Sequence, residues 1–251
     1  MAIAVTSKRS EGRATSAEKT PSVEFTEHGL SCSDVVAQEI TDRVLTGRCV
    51  PGQRLIEADL SRDLKVGRGT IREALKRLAA ERVIALIPHR GAVVRALTRD
   101  EAIELQDVVL ALYGLAASLA ASRIEHDGNR KRLTAAFERI IADGPQSDRI
   151  LHALDRSSLY DVIFTIAGNR ELMRANPTVL IQILRIQIHP FLAPDDRAKL
   201  FADYRQLYDA LIRGNAAKAR RAMEKHIHLR RAQIERLPPE AFAGESEYRA
   251  T

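Results

Sequence analysis

Between residues 33 and 95 the chain strings together three short helical patterns and two strand-like runs, an order that restricts this segment to a small three-helix unit carrying a β-hairpin. Ser33 fits a helix N-cap; Val36, Ile40 and Val44 follow at a spacing of four, and Gly47 is placed to end the helix. Pro51-Gly52 makes a turn, and residues 57–64 form a second helix with Leu60 and Leu64 inward. Gly67 to Gly69 make the break before a third helix, in which Ile71, Ala74, Leu75 and Leu78 recur at i, i+3, i+4 and i+7. Arg68, Arg72 and Lys76 fall together on an adjacent face of that helix. Residues 83–87 and 92–94 are rich in branched apolar side chains and flank a Pro-containing turn closed by Gly91, which reads as a hairpin wing.

From Thr98 onward the pattern is helical. Thr98 and Glu101 form a capping box, and Leu105, Val108, Leu112, Leu115 and Leu119 supply an apolar stripe for a long helix. Further helices are expected over 129–142, 148–167, 177–188 with Asn176 as cap and Pro177 at N1, 195–213 and 215–236. The expected fold is mostly α: an N-terminal winged helix-turn-helix with a small β-hairpin wing, then a C-terminal antiparallel α-helical bundle. Its divisions are a disordered leader (1–30), the winged unit (31–97), the all-α domain (98–237) and a flexible tail (238–251).

Charge follows the basic helix. The net charge is +6, and residues 35–98 hold 12 Lys and Arg against 7 Asp and Glu, whereas residues 99–251 hold 23 against 21. That balance admits a nucleic-acid partner for the first unit. Cys32 and Cys49 cannot build a disulfide framework and fit a reducing compartment. The apolar run 108–121 is too short to span a bilayer and is interrupted by Tyr113, Gly114 and Ser118, and no export signal opens the chain. We therefore expect a cytoplasmic, nucleoid-associated bacterial protein without a membrane partner.

A helix that reads duplex DNA in the major groove needs long cationic side chains near its N-terminal end. Arg68 and Arg72, one turn apart, meet that need; Lys76 lies further along and suits a phosphate. Taken alone such a pair is more often a solvated helix face; the order helix, turn, basic helix and wing reverses that balance in favour of DNA. Pro51-Gly52, Arg54-Leu55, Glu57, Leu60, Arg68, Arg72 to Leu75, Arg77-Leu78 and Arg90-Gly91 resemble the winged helix-turn-helix of the GntR family of bacterial transcription regulators. The remainder resembles the FCD-type ligand-sensing domain of the FadR branch, so the likeness covers about residues 33–236. The resemblance implies a DNA-facing set of Arg68, Gly69, Thr70, Arg72, Lys76, His89, Arg90 and Gly91, with Arg68 and Arg72 on bases and the wing tip in the minor groove. Gly67 and Gly69 depart from it, since Ser or Thr is usual at these positions.

In metal-binding members of this branch an Asp and a His four residues apart precede a Gly-Asn pair, and two later histidines complete a zinc or nickel site. Gly168-Asn169 and His226 match here, but the first His position is Tyr160, the Asp position Arg156 with Asp155 one residue out of register, and the second His position Tyr204. A one-residue slip turns a helical side chain by roughly 100°, so we expect no metal and no other cofactor. If the alignment holds, Val109, Tyr113, Tyr160, Tyr204 and His226 line an effector pocket, with Arg185 anchoring an anionic end. The alternative is that these tyrosines simply pack between helices. His152 and Asp155 share a helix face but suggest a surface hydrogen bond.

The expected function is a non-enzymatic, homodimeric repressor of palindromic operator DNA, modulated by an organic acid or other small metabolite. A constitutive DNA-binding protein with a vestigial pocket is the alternative, and a metal-dependent enzyme on the bundle a third.

Overall fold

The computed structural model describes residues 31–142 and 151–243, so the expected leader lies outside the described residues. The first helix, α1 (Cys32–Leu45), is capped by Ser31 and not by Ser33, because Asp34 stands at N3 of Ser31 and returns the bond to its backbone N–H. Val36, Ile40 and Val44 are wholly buried as the spacing requires. Helix α2 (Glu57–Leu64) turns Leu60 and Leu64 inward, and α3 (Arg68–Ala80) buries Ile71, Ala74, Leu75 and Leu78 against α1. Gly69 is inside α3; only Gly67 precedes it, as the N-cap, so the break is shorter than the two glycines suggest.

The wing is a three-stranded antiparallel sheet, not a two-stranded hairpin. Strands β2 (Ile84–Ile87) and β3 (Gly91–Val94) pair as expected, and β1 (Arg54–Leu55) adds to the free edge of β3, giving the order β1-β3-β2. Gly52, at φ 82°, turns the chain onto that edge and donates to the carbonyl of Val94 at 2.9 Å. A two-residue strand is too short to display alternation, which is why its sequence reads as turn and coil.

The second part is all-helical: α4 (Arg99–Ser122), α5 (Asn129–Ala142), α6 (Leu151–Ala167), α7 (Arg170–Ala175), α8 (Thr178–Ile188), α9 (Pro194–Ile212) and α10 (Ala216–Arg236). Thr98 and Glu101 do form the capping box of α4. Its buried face, however, is Ala102, Leu105, Val109, Tyr113, Ala116, Ala117 and Ala120, while Val108 and Leu115 of the expected stripe are 50% and 41% exposed. The small residues win because they let α10 approach closely: a Cβ built on Gly114 would lie 3.4 Å from Cγ of Glu224. By length and composition α4 could cross a membrane, yet α6 and α10 pack along it as around a core helix.

Helix α7 was not expected. Asn169 caps it, Asn176 ends it, and Pro177 takes the cap position of α8 in place of Asn176. The expected loose tail is also partly docked: Pro239–Ala241 form a 3-10 turn, Ala241 is buried, and the N–H of Ala243 donates to the carbonyl of Leu97. Residues 244–251 lie outside the described residues.

Gly69 sits in the first turn of α3 with nothing within 4 Å of a Cβ placed on it. Gly69→Ala should therefore stabilise the fold by about 0.5–1 kcal/mol, the helical penalty of glycine. Urea denaturation measures it, and a lowered midpoint would show that the glycine is conformationally required.

Candidate functional site

The exposed face at the start of α3 carries Arg68, Gly69 and Arg72, with Thr70 half-buried beside them and Lys76 one turn on. Gly67 makes no side-chain cap, so the first backbone N–H groups of α3 have no side-chain partner from their own cap. Arg72 donates through Nε to Glu57 of α2 at 2.9 Å, and Lys76 pairs with Glu73 at 3.1 Å. Sequence reading missed Glu57 as a partner because it lies fifteen residues away on another helix. At 63% side-chain exposure Arg72 stays accessible, and the pair aims the guanidinium without removing it from solvent.

The wing carries His89 and Arg90 at an exposed tip, with His89 at φ 62° and Gly91 at φ 79° as the first residue of β3. These two positive-φ residues, on either side of Arg90, turn the tip sharply. Arg77 holds the reading helix against α1 through Asp34 and reaches Glu81, the C-cap of α3, at 2.9 Å.

Inside the bundle, three elements bring the other expected residues together. Tyr160 of α6, Tyr204 of α9 and His226 of α10 are all buried, His226 completely. The Tyr160 hydroxyl shares a hydrogen bond with Nε2 of His226 at 2.7 Å and meets the Tyr204 hydroxyl at 3.2 Å. Tyr113 of α4 tilts against Tyr160 with ring centres 4.9 Å apart and meets Phe164 edge-on at 5.0 Å. Phe164, one turn after Tyr160 on α6, was not anticipated, though its i+4 spacing places it on the same face. Val109, one turn before Tyr113, is buried on the same face of α4. Arg185 of α8 lies over the Tyr160 ring, its guanidinium carbon 5.0 Å from the ring centre.

The electrostatics of this cluster follow from burial. Desolvation pushes the Tyr113 hydroxyl up to about 12, against a smaller opposing pull from Arg185. Tyr160 is raised well above its ordinary value by desolvation, reinforced by Tyr204. Both are therefore neutral phenols near pH 7.

That chemistry does not fit a resident metal. A phenol held protonated is a poor ligand for zinc or nickel, and the Tyr160 hydroxyl already engages the Nε2 atom that a metal would need. Among the described residues no group of three or more His, Cys, Asp or Glu converges. The side chains of His152, Asp155 and Arg156 lie outside the described residues.

A winged DNA-reading head joined to an all-α body with a buried polar centre defines a ligand-sensing class of DNA-binding regulators. Comparison with known proteins places it more narrowly. The model of bacterial regulatory proteins of the gntR family matches residues 32–94, and the FCD domain matches residues 104–229. The chain belongs to the GntR family, with an FCD domain, and is a transcription regulator of that family.

Among its relatives, the "Probable D-xylose utilization operon transcriptional repressor" of Paenarthrobacter nicotinovorans is 26% identical over 198 residues, spanning 76% of this chain and 85% of that one. The gluconate operon transcriptional repressor of Bacillus licheniformis is 29% identical over 199 residues, spanning 77% and 79%. The fold is similar to that of E. coli McbR/YncC, with a TM-score of 0.69 at 17% identity over 82% of this chain and 98% of that one. A GntR chain from Rhodococcus sp. RHA1 gives a TM-score of 0.68 at 23% identity, with the same coverage.

Removing the central hydroxyl by Tyr160→Phe should cost about 1–3 kcal/mol, because His226 loses a buried partner. Unchanged thermal and urea stability would mean that the bond contributes nothing. The raised tyrosines also set an alkaline limit. Their stabilising contribution is complete below about pH 10, the ordinary phenol value, and is lost as pH rises toward 12. Absorbance near 295 nm should show two tyrosines ionising only with unfolding; joint ionisation of all tyrosines near pH 10 in folded protein would contradict it.

Proposed function

We propose that the chain is a homodimeric repressor that reads paired operator half-sites with α3 and the wing and releases them when a small organic acid enters the helical body. The observation that carries the reading head is the solvent-facing pair Arg68 and Arg72 at the start of α3, with Glu57 aiming the second. Arginine at these positions suits bidentate contact with guanine, Gly69 and Thr70 allow close backbone approach, and Lys76 suits a phosphate. His89, Arg90 and Gly91 at the wing would lie along the backbone or minor groove. No catalytic role is assigned.

Support for a second copy comes from α4, which carries no charged residue from Val108 to Ser122 and exposes Val108 and Leu115. Support for an effector comes from the hydroxyls of Tyr113, Tyr160 and Tyr204, the imidazole of His226 and the cation of Arg185, gathered at the centre of the bundle beside Val109. An acid bound there would take Arg185 as counter-ion and the phenols as donors, without a metal. A second reading is favoured by the close ring contacts, 4.7 Å between Tyr204 and His226: the centre is filled by its own side chains, and the chain binds DNA constitutively.

Arg72→Ala should abolish binding to DNA selected by the wild-type chain in a mobility-shift assay while the circular dichroism spectrum stays unchanged; undiminished binding would refute the reading face. For the body, a panel of small organic acids tested by thermal shift, with and without chelator, should yield stabilising compounds whose effect survives the chelator. Stabilisation by none of them would favour constitutive binding, and loss of the effect with chelator would refute the metal-free site.

A further inference from the structure

The stretch between head and body, Ala96 to Thr98, is held from two sides by groups that the DNA-reading face and the tyrosine cluster do not use. Gln187, near the end of α8, brackets Leu97 like a strand partner: its Oε1 accepts from the Leu97 N–H at 2.8 Å, and its Nε2 donates to the Leu97 carbonyl at 2.8 Å. The same Nε2 donates to the carbonyl of Ala241 at 2.9 Å, and the Ala243 N–H donates to Leu97 at 3.1 Å. One amide side chain thus ties together the linker, α8 and the C-terminal segment.

Arg99 closes the joint from the other side. Its guanidinium donates to the backbone carbonyls of Ile234, Glu235 and Leu237 at the end of α10 and lies 4.6 Å from the centre of the Phe242 ring. A third tie runs from α8 to the head: Nε2 of the buried Gln182 donates to the carbonyl of Leu45, the last residue of α1, at 3.2 Å. Beside these bonds a cleft of about 430 Å³ opens between Val50, Ala96, Phe191 and Phe242. Apolar packing is incomplete there, so the directional hydrogen bonds carry the orientation.

We infer that Gln187, together with the C-terminal segment from Pro238 to Ala243, is the positioning element that fixes the DNA-reading head on the helical body and so sets the separation at which two heads meet DNA. Helix α8 carries Arg185 over Tyr160 on one side and Gln182 and Gln187 toward the head on others. At about 1.5 Å per residue, Arg185 and Gln187 move as one rigid piece. A shift of α8 at the cluster is therefore a shift of the clamp on Leu97. The spacing consequence rests on the dimeric reading proposed above; the clamp itself does not.

The test uses the full chain, Gln187→Leu and Phe242→Ala. Trypsin sites at Arg95 and Arg99 flank Leu97, and cleavage there follows the population of the opened joint. Gln187→Leu should raise linker cleavage about tenfold, and Phe242→Ala should raise it less, with melting of the helical body unchanged. Cleavage equal to wild type in both variants would overturn the inference. The second readout is selection of bound duplexes from a random DNA pool. Wild type should enrich paired half-sites at one spacing, and Gln187→Leu the same half-site over scattered spacings. A single shared spacing, despite raised cleavage, would also overturn it. If wild type selects no paired sites, the dimeric reading fails, and the joint stands or falls on cleavage alone.

Discussion

A fully buried imidazole constrains the helical body more than any other single group. His226 comes from the centre of α10, and an imidazole shut away from water must be met by polar partners. Tyr160 from α6 meets it at 2.7 Å and in turn meets Tyr204 from α9, so three helices are registered against one another by two hydrogen bonds. Tyr113 then fixes α4 against the same point through ring contact, and Arg185 brings in α8. The apolar packing around them is non-directional; the hydroxyl and imidazole bonds select one arrangement.

That centre also bears on how such a protein is controlled. Where a metal-binding relative would present carboxylate and imidazole, this chain presents phenols that burial keeps protonated. On the function proposed above, such a cluster would hold a ligand by hydrogen bonds from its phenols and by the cation of Arg185 laid over Tyr160. The body meets the reading head through α8, whose Gln182 and Gln187 reach α1 and the linker. In the joint inferred above, control of DNA binding would turn on where this short helix sits.

Much of the head was legible because its signals are local. The α2 bounds, the inward residues of α3, the turn at Pro51-Gly52 and the capping box at Thr98 each follow from a few neighbouring residues. What escaped depended on distance or on competition between signals. Strand β1 exists only because β3 offers it an edge, and Glu57 reaches Arg72 only in the folded head. Leucines outrank alanines in a hydrophobic stripe, yet the alanine and glycine face of α4 is the one buried, since close approach to α10 requires small side chains. The C-terminal segment has a loose composition and docks through backbone groups, which composition does not reveal. In the body, Gly168-Asn169 and His226 gave the alignment that brought Tyr160 and Tyr204 to the imidazole. The ring contacts of Tyr113 with Tyr160 and of Tyr204 with His226 could not be read from spacing.

The hydrogen bond that ties Nε2 of His226 to Tyr160 is best tested by 15N NMR of the imidazoles, with equimolar zinc chloride added to protein whose metal content has been measured. His226 should give the shifts of a ring hydrogen-bonded at Nε2, unchanged by zinc, in protein purified without stoichiometric metal. Displacement of its Nε2 resonance by zinc, or one tightly held metal per chain, would contradict the metal-free centre.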